Sequence, residues 1–87
     1  MNYRTRVRLA NQATARAHEA GAEAATLTAQ MRTFGMPSVQ LMAVPEYVAT
    51  LRARDAARRR YWREMAASQL LLGHPWPAAE ALGREPQ

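Results

Sequence analysis

The chain has 87 residues, a formal net charge of +5 and no cysteine. A single domain of this length buries about 60–65% of the surface its unfolded form exposes, so its core is thin. The missing thiols exclude a disulfide framework and a thiolate metal site.

From Tyr3 to Phe34 there is no proline and only one glycine, Gly21, among residues that favour helix. Ala10, Ala13, Ala17, Ala20, Ala24, Leu27, Met31 and Phe34 recur at alternating steps of three and four. That spacing is one apolar stripe on a long helix. Gly35 is a helix-ending residue, and Pro37 cannot continue the helix. Met36–Val44 is a connector in which Ser38 can cap a short turn over Val39–Met42. Pro45 suits a first helical position, and Glu46 places an anion at the positive end of the helix dipole. No proline or glycine interrupts Glu46–Leu72, a second helix about 40 Å long at 1.5 Å per residue. Gly73 closes it. Pro77 opens a short helix through Leu82, and Gly83–Gln87 reads as an extended tail.

No segment alternates with a period of two, with the first eight residues the only possible exception. The expected fold is all-α: a long antiparallel two-helix hairpin (about 3–34 and 46–72) plus a short C-terminal helix (about 77–82). The chain is one small helical domain with a basic N-terminal arm (1–8). In the hairpin, Leu27, Met31 and Phe34 should meet Val48 and Leu51, with Leu41 and Val44 over them. Trp62 and Met65 should cover Ala10, Ala13 and Ala17, large against small. The Leu70–Leu72 triplet should return towards Tyr3, Val7 and Leu9. Tyr47, Val48, Leu51, Trp62, Met65 and Ala66 share a sector of the second helix, interrupted by Asp55 and Arg58. Ala49, Ala53, Ala57 and Tyr61 form a second, weaker apolar face. Two semi-apolar faces on one helix point to a partner, either a second copy or another protein.

All twelve basic residues are arginine, nineteen positions are alanine, and lysine and isoleucine are absent. Arginine in place of lysine fits a GC-rich coding bias, but bias does not set the sign of the net charge, which favours an acidic partner. Within Arg52–Arg63, the residues Arg52, Arg59 and Arg63 share one helical stripe, with Arg60 beside it. Such a stripe can follow phosphates. It also reads as solvated surface if Asp55 pairs with Arg52, Arg58 or Arg59, and Glu64 with Arg60. Arg4, Arg6 and Arg8 would line one side of an extended arm.

Trp76, held between Pro75 and Pro77, is either an anchor for a partner or a cover for its own core. His18 and His74 lack a metal-ligand spacing, so no metal or other cofactor is expected. Two serines, one aspartate and no Gly-rich loop supply no nucleophile–base set, so no enzyme and no small-molecule substrate are expected. No apolar run approaches the roughly 18 residues of a membrane span. The basic start lacks the apolar stretch of a secretory signal. A cytoplasmic protein of a bacterium is expected, or a virion component if phage-encoded; plasmid origin fits equally. The expected function is a non-catalytic protein–protein interaction module. It would be a small structural or adaptor subunit, or an inhibitor that occupies a partner's surface. The alternative is a nucleic-acid-binding protein whose second helix tracks phosphates. Trp76, Tyr61, Ala49, Ala53 and Ala57 are the candidate partner contacts. Arg52, Arg59, Arg63, Arg60, Arg4, Arg6 and Arg8 are the candidate anion contacts.

Overall fold

The first helix starts where Asn2 can cap it. The Asn2 side-chain oxygen accepts from the Thr5 backbone N–H at 2.8 Å, satisfying one of the orphan donors of a helix start. The computed structural model describes residues 2–35 and 38–84. Four helices follow in order: α1 Tyr3–Arg32, α2 Ser38–Leu41, α3 Pro45–Leu71 and α4 Pro75–Gly83. Gly35 and Gly73, at φ of 63° and 78°, supply the left-handed residues that turn the chain after α1 and α3. α1 and α3 pack along their length as a hairpin, and α4 folds back on α3. The molecule measures 52 × 20 × 14 Å.

The α1 stripe behaves as its spacing predicts. Ala10, Ala13, Ala17, Ala20, Ala24 and Met31 are all buried. At the hairpin tip Met31, Leu41 and Tyr47 form a cluster, with Phe34, Val44 and Leu51 packed on it. The Phe34 and Tyr47 rings meet edge to face at 5.4 Å, a favoured aromatic geometry.

The face that α3 turns to α1 differs from the expected one. Tyr61 lies against Gly21, its ring 3.4 Å from where a Cβ would sit. Ser68 and Thr14 hydroxyls are 2.8 Å apart, while Thr14 donates to the Ala10 carbonyl at 3.0 Å. Ser68 is therefore the donor in the hydroxyl pair. Glu64 bonds Arg16 across the helices at 3.0 Å, and Arg60 bonds Glu23. Ala57 is fully buried. Residues 57, 61, 64 and 68 thus form the α1-facing row.

Trp62 and Met65, one residue further round, face α4 instead. They pack on the cluster of Ala66, Ala78 and Ala81, and not over Ala10, Ala13 and Ala17. A step of one residue is a rotation of about 100°, which takes a side chain from one neighbour to the next. α4 begins at Pro75, two residues before the expected start. Prolines are tolerated in a first turn because the N–H they lack would be unpaired there.

Both expected extended ends are at least partly helical. Tyr3–Arg8 is the start of α1 and not an arm, because the Asn2 cap and Arg6 tie it down. The Arg6 Nε donates to the Leu71 carbonyl at 2.9 Å, placing a cation on the last carbonyls of α3. That contact brings the leucine triplet back to α1 through its backbone, while Leu70 and Tyr3 stay exposed. Gly83 ends α4, and Arg84 caps it with a backbone N–H to Ala81 O of 3.1 Å. The remainder of the expected tail, 85–87, lies outside the described residues.

Candidate interaction surfaces

The first turn of α4 holds Trp76 between two prolines whose rings fix φ. Its side chain is 82% exposed. It therefore does not fold back over its own core. That work falls to Trp62, which sits between α3 and α4 with the Arg84 guanidinium 5.8 Å from its ring centre.

The other proposed apolar contacts divide. Ala49 and Ala53 are exposed, whereas Ala57 is sealed against α1 and is not available to a partner. Tyr61 is not a free anchor either. Its ring covers Gly21 on one helix and meets Trp62 edge to face at 4.8 Å on its own.

The arginines divide in the same way. Arg6 is held by the α3 terminus and Arg60 by Glu23, although the Arg60 side chain stays 56% exposed. Arg52 and Arg63 are exposed and Arg59 is half-buried, on the side of α3 turned away from the α1-facing row. Arg4 and Arg8 are exposed near the start of α1.

The acidic residues do not neutralise the α3 cluster as their spacing suggests. Asp55 takes its neighbour Arg54, at 3.2 Å, and leaves Arg52, Arg58 and Arg59 alone. Glu64 takes Arg16, not Arg60. For Glu64 the i,i+4 partner loses to one on the facing helix, whereas Asp55 stays with its sequence neighbour and Glu80 keeps its i,i+4 partner Arg84. Among the described residues, Arg4, Arg8, Arg32, Arg52, Arg58 and Arg59 make no ion pair or side-chain hydrogen bond.

These cations are unevenly placed. Of the six, Arg32, Arg52, Arg58 and Arg59 lie in the tip half of the hairpin, where Arg54 and Arg60 are taken by Asp55 and Glu23. A trough there runs between α1 and α3. Its floor is Gly21, Ala24, Ala25, Thr28 and Ala29, and Arg32 and Arg58 stand on its rim. A second depression, lined by Trp62, Met65, Gln69, Glu80 and Arg84 among others, lies further along α3.

Two of the candidate chemical groups have structural roles. Ser68 is buried in the hydroxyl pair with Thr14. His74 Nδ1 lies 3.1 Å from Gln69 Oε1 in the turn before α4. No group of three or more His, Asp or Glu side chains among the described residues is arranged to hold a metal ion. No described helix is long and apolar enough to cross a membrane. Set against protein-family profiles, curated proteins and solved structures, the chain matches none of them.

Proposed function

We propose that this protein is a non-catalytic interaction module that docks on another protein with Trp76 as its anchor. It would serve as a small structural or adaptor subunit, or as an inhibitor that covers its target's surface. The supporting observation is the placement of Trp76. A tryptophan 82% exposed on a proline-stiffened turn gives the fold little and leaves little backbone freedom to be lost on binding. Tryptophan is also prominent among interface hot spots.

The test begins with capture of partners from the native host at low salt, with nuclease present. Trp76→Ala should then weaken binding of the captured protein by roughly 30-fold or more, the scale of a hot-spot truncation of about 2 kcal/mol. Its unfolding free energy should stay within about 0.5 kcal/mol of the parent, because the side chain is surface. Unchanged affinity in a folded Trp76→Ala variant would remove Trp76 from the interface.

A second reading, a nucleic-acid-binding protein, is favoured by one observation: Arg52 and Arg59 lie in one row without a carboxylate partner. Binding to a duplex or a single strand would then fall steeply with salt. The log–log slope should drop by about one for each phosphate-contacting arginine removed. Absence of a shift with DNA or RNA at low salt, on the order of 50 mM, would eliminate this reading.

A further inference from the structure

α3 carries two parallel rows of side chains. One, through Tyr47, Ala57, Tyr61, Glu64 and Ser68, faces α1. The next row round is Val48, Leu51, Asp55, Arg58, Trp62, Met65 and Gln69, again at alternating steps of three and four, the spacing of a helix-packing seam. α4 occupies only the C-terminal part of this second seam, against Trp62 and Met65. Its end is marked by Arg84, which reaches the Trp62 ring. The stretch from Val48 to Arg58 has no helix from this chain stacked along it as α4 stacks on Trp62, although Leu51 touches the tip cluster at its edge. It is about 15 Å long at 1.5 Å per residue.

We infer that an acidic amphipathic helix from a partner protein lies on this open stretch of seam, end to end with α4. The inference rests on the reading of the protein as an interaction module but uses a surface other than Trp76. Two arguments fix the occupant's chemistry. The first is continuity: the open stretch extends the same seam that already binds a helix. The second is charge. Half-buried Val48 and Leu51 share the open stretch with Arg58 and with Asp55, whose carboxylate is taken by Arg54; Arg52 and Arg59 run along the side away from α1, and Arg32 stands across the trough from Arg58. Arg32, Arg52, Arg58 and Arg59 have no carboxylate partner among the described residues. Apolar positions set among unpaired charges of one sign are the pattern by which helices choose oppositely charged helices. Phosphates would use the arginines but leave Val48 and Leu51 unused. A second copy of this chain would bring like charges together.

The test uses a designed peptide of about 18 residues, five helical turns at 3.6 residues per turn, with Leu at core positions and Glu at the flanking ones. Amide resonances of the full chain are followed on titration. Shifts centred on Val48–Arg58 support the proposal; shifts centred elsewhere overturn it. So does equal binding by a scrambled peptide of the same composition, and so does a DNA duplex that binds this stretch as well as the peptide does. The R58E/R59E double variant should bind the Glu peptide about tenfold more weakly or worse, as attraction at the edges becomes repulsion. It should recover binding when the peptide's Glu residues are replaced by Lys, which also shows that the variant is folded. Trp76→Ala should bind the Glu peptide as the parent does, so failure of the Trp76 anchor and failure of this seam give different results.

Discussion

Tyr47→Ala is expected to lower the unfolding free energy by about 3 kcal/mol, the lower end of the range for truncating a buried aromatic to alanine. Tyr47 is the largest member of the tip cluster, 8% exposed among Met31, Leu41, Phe34, Val44 and Leu51. Its removal leaves a cavity beneath Leu41 and deletes the edge-to-face contact with Phe34, worth about 0.5–1.5 kcal/mol beyond area burial. At roughly 0.05–0.15 kcal/mol per residue, a chain of this length has about 4–13 kcal/mol of stability to lose. The substitution should therefore remove about a quarter or more of it and lower the urea midpoint accordingly. Urea denaturation followed by circular dichroism measures the change, with Tyr47→Phe as the control that keeps the ring. A loss under about 1 kcal/mol would mean that the tip closes up without its aromatic pair.

Ala17→Leu should be nearly as damaging, by the opposite mechanism. Ala17 has no exposed surface, midway along a row of buried alanines. The three added carbons cannot be accommodated there unless α1 and α3 move apart. Overpacking of this kind costs about 1–3 kcal/mol. The upper part of that range applies because the neighbouring alanines, Ala13 and Ala20, would lose close contact together. Leucine is as good a helix former as most residues, so the loss would report packing and not propensity. Ala15→Leu, on the exposed side of the same helix, should change stability by no more than about 0.5 kcal/mol. If the two substitutions melt alike, the close helix approach is wrong.

Much of this architecture was legible in the sequence. The alanine stripe of α1 is continuous, and the glycine and proline signals at its end and around α3 are strong. Met31, Phe34, Leu41, Val44 and Leu51 of the tip cluster followed from antiparallel packing, but Tyr47 fills the place expected of its neighbour Val48, and Leu27 is not part of the cluster. The inner face of α3 was hidden because its row includes Glu64 and Ser68, which read as surface. Their partners, Arg16 and Thr14, lie 48 and 54 residues away in sequence, beyond the reach of any local periodicity. Arg6 was misread as part of a basic arm for the same reason: the carbonyl it caps is 65 residues distant. Ala57 and Tyr61 were placed on an outward face because the large apolar residues Trp62 and Met65 drew the inferred core one residue round. The exposure of Trp76 was undecidable from sequence, since a tryptophan between prolines fits a cover and an anchor equally well.

An alanine-lined seam is smooth. Side chains that are all alike offer little resistance to one helix sliding along the other by a turn. The Thr14–Ser68 hydroxyl pair and the Arg16–Glu64 and Arg60–Glu23 bridges are not repeated one turn away. They act as the teeth of a key, so only one alignment satisfies every polar group. Because that alignment is fixed, so is the position of Arg32 on α1 against Arg52, Arg58 and Arg59 on α3. A slip of one turn would carry Arg32 about 5.4 Å along α3, so the basic rim of the trough keeps its spacing only while the key holds.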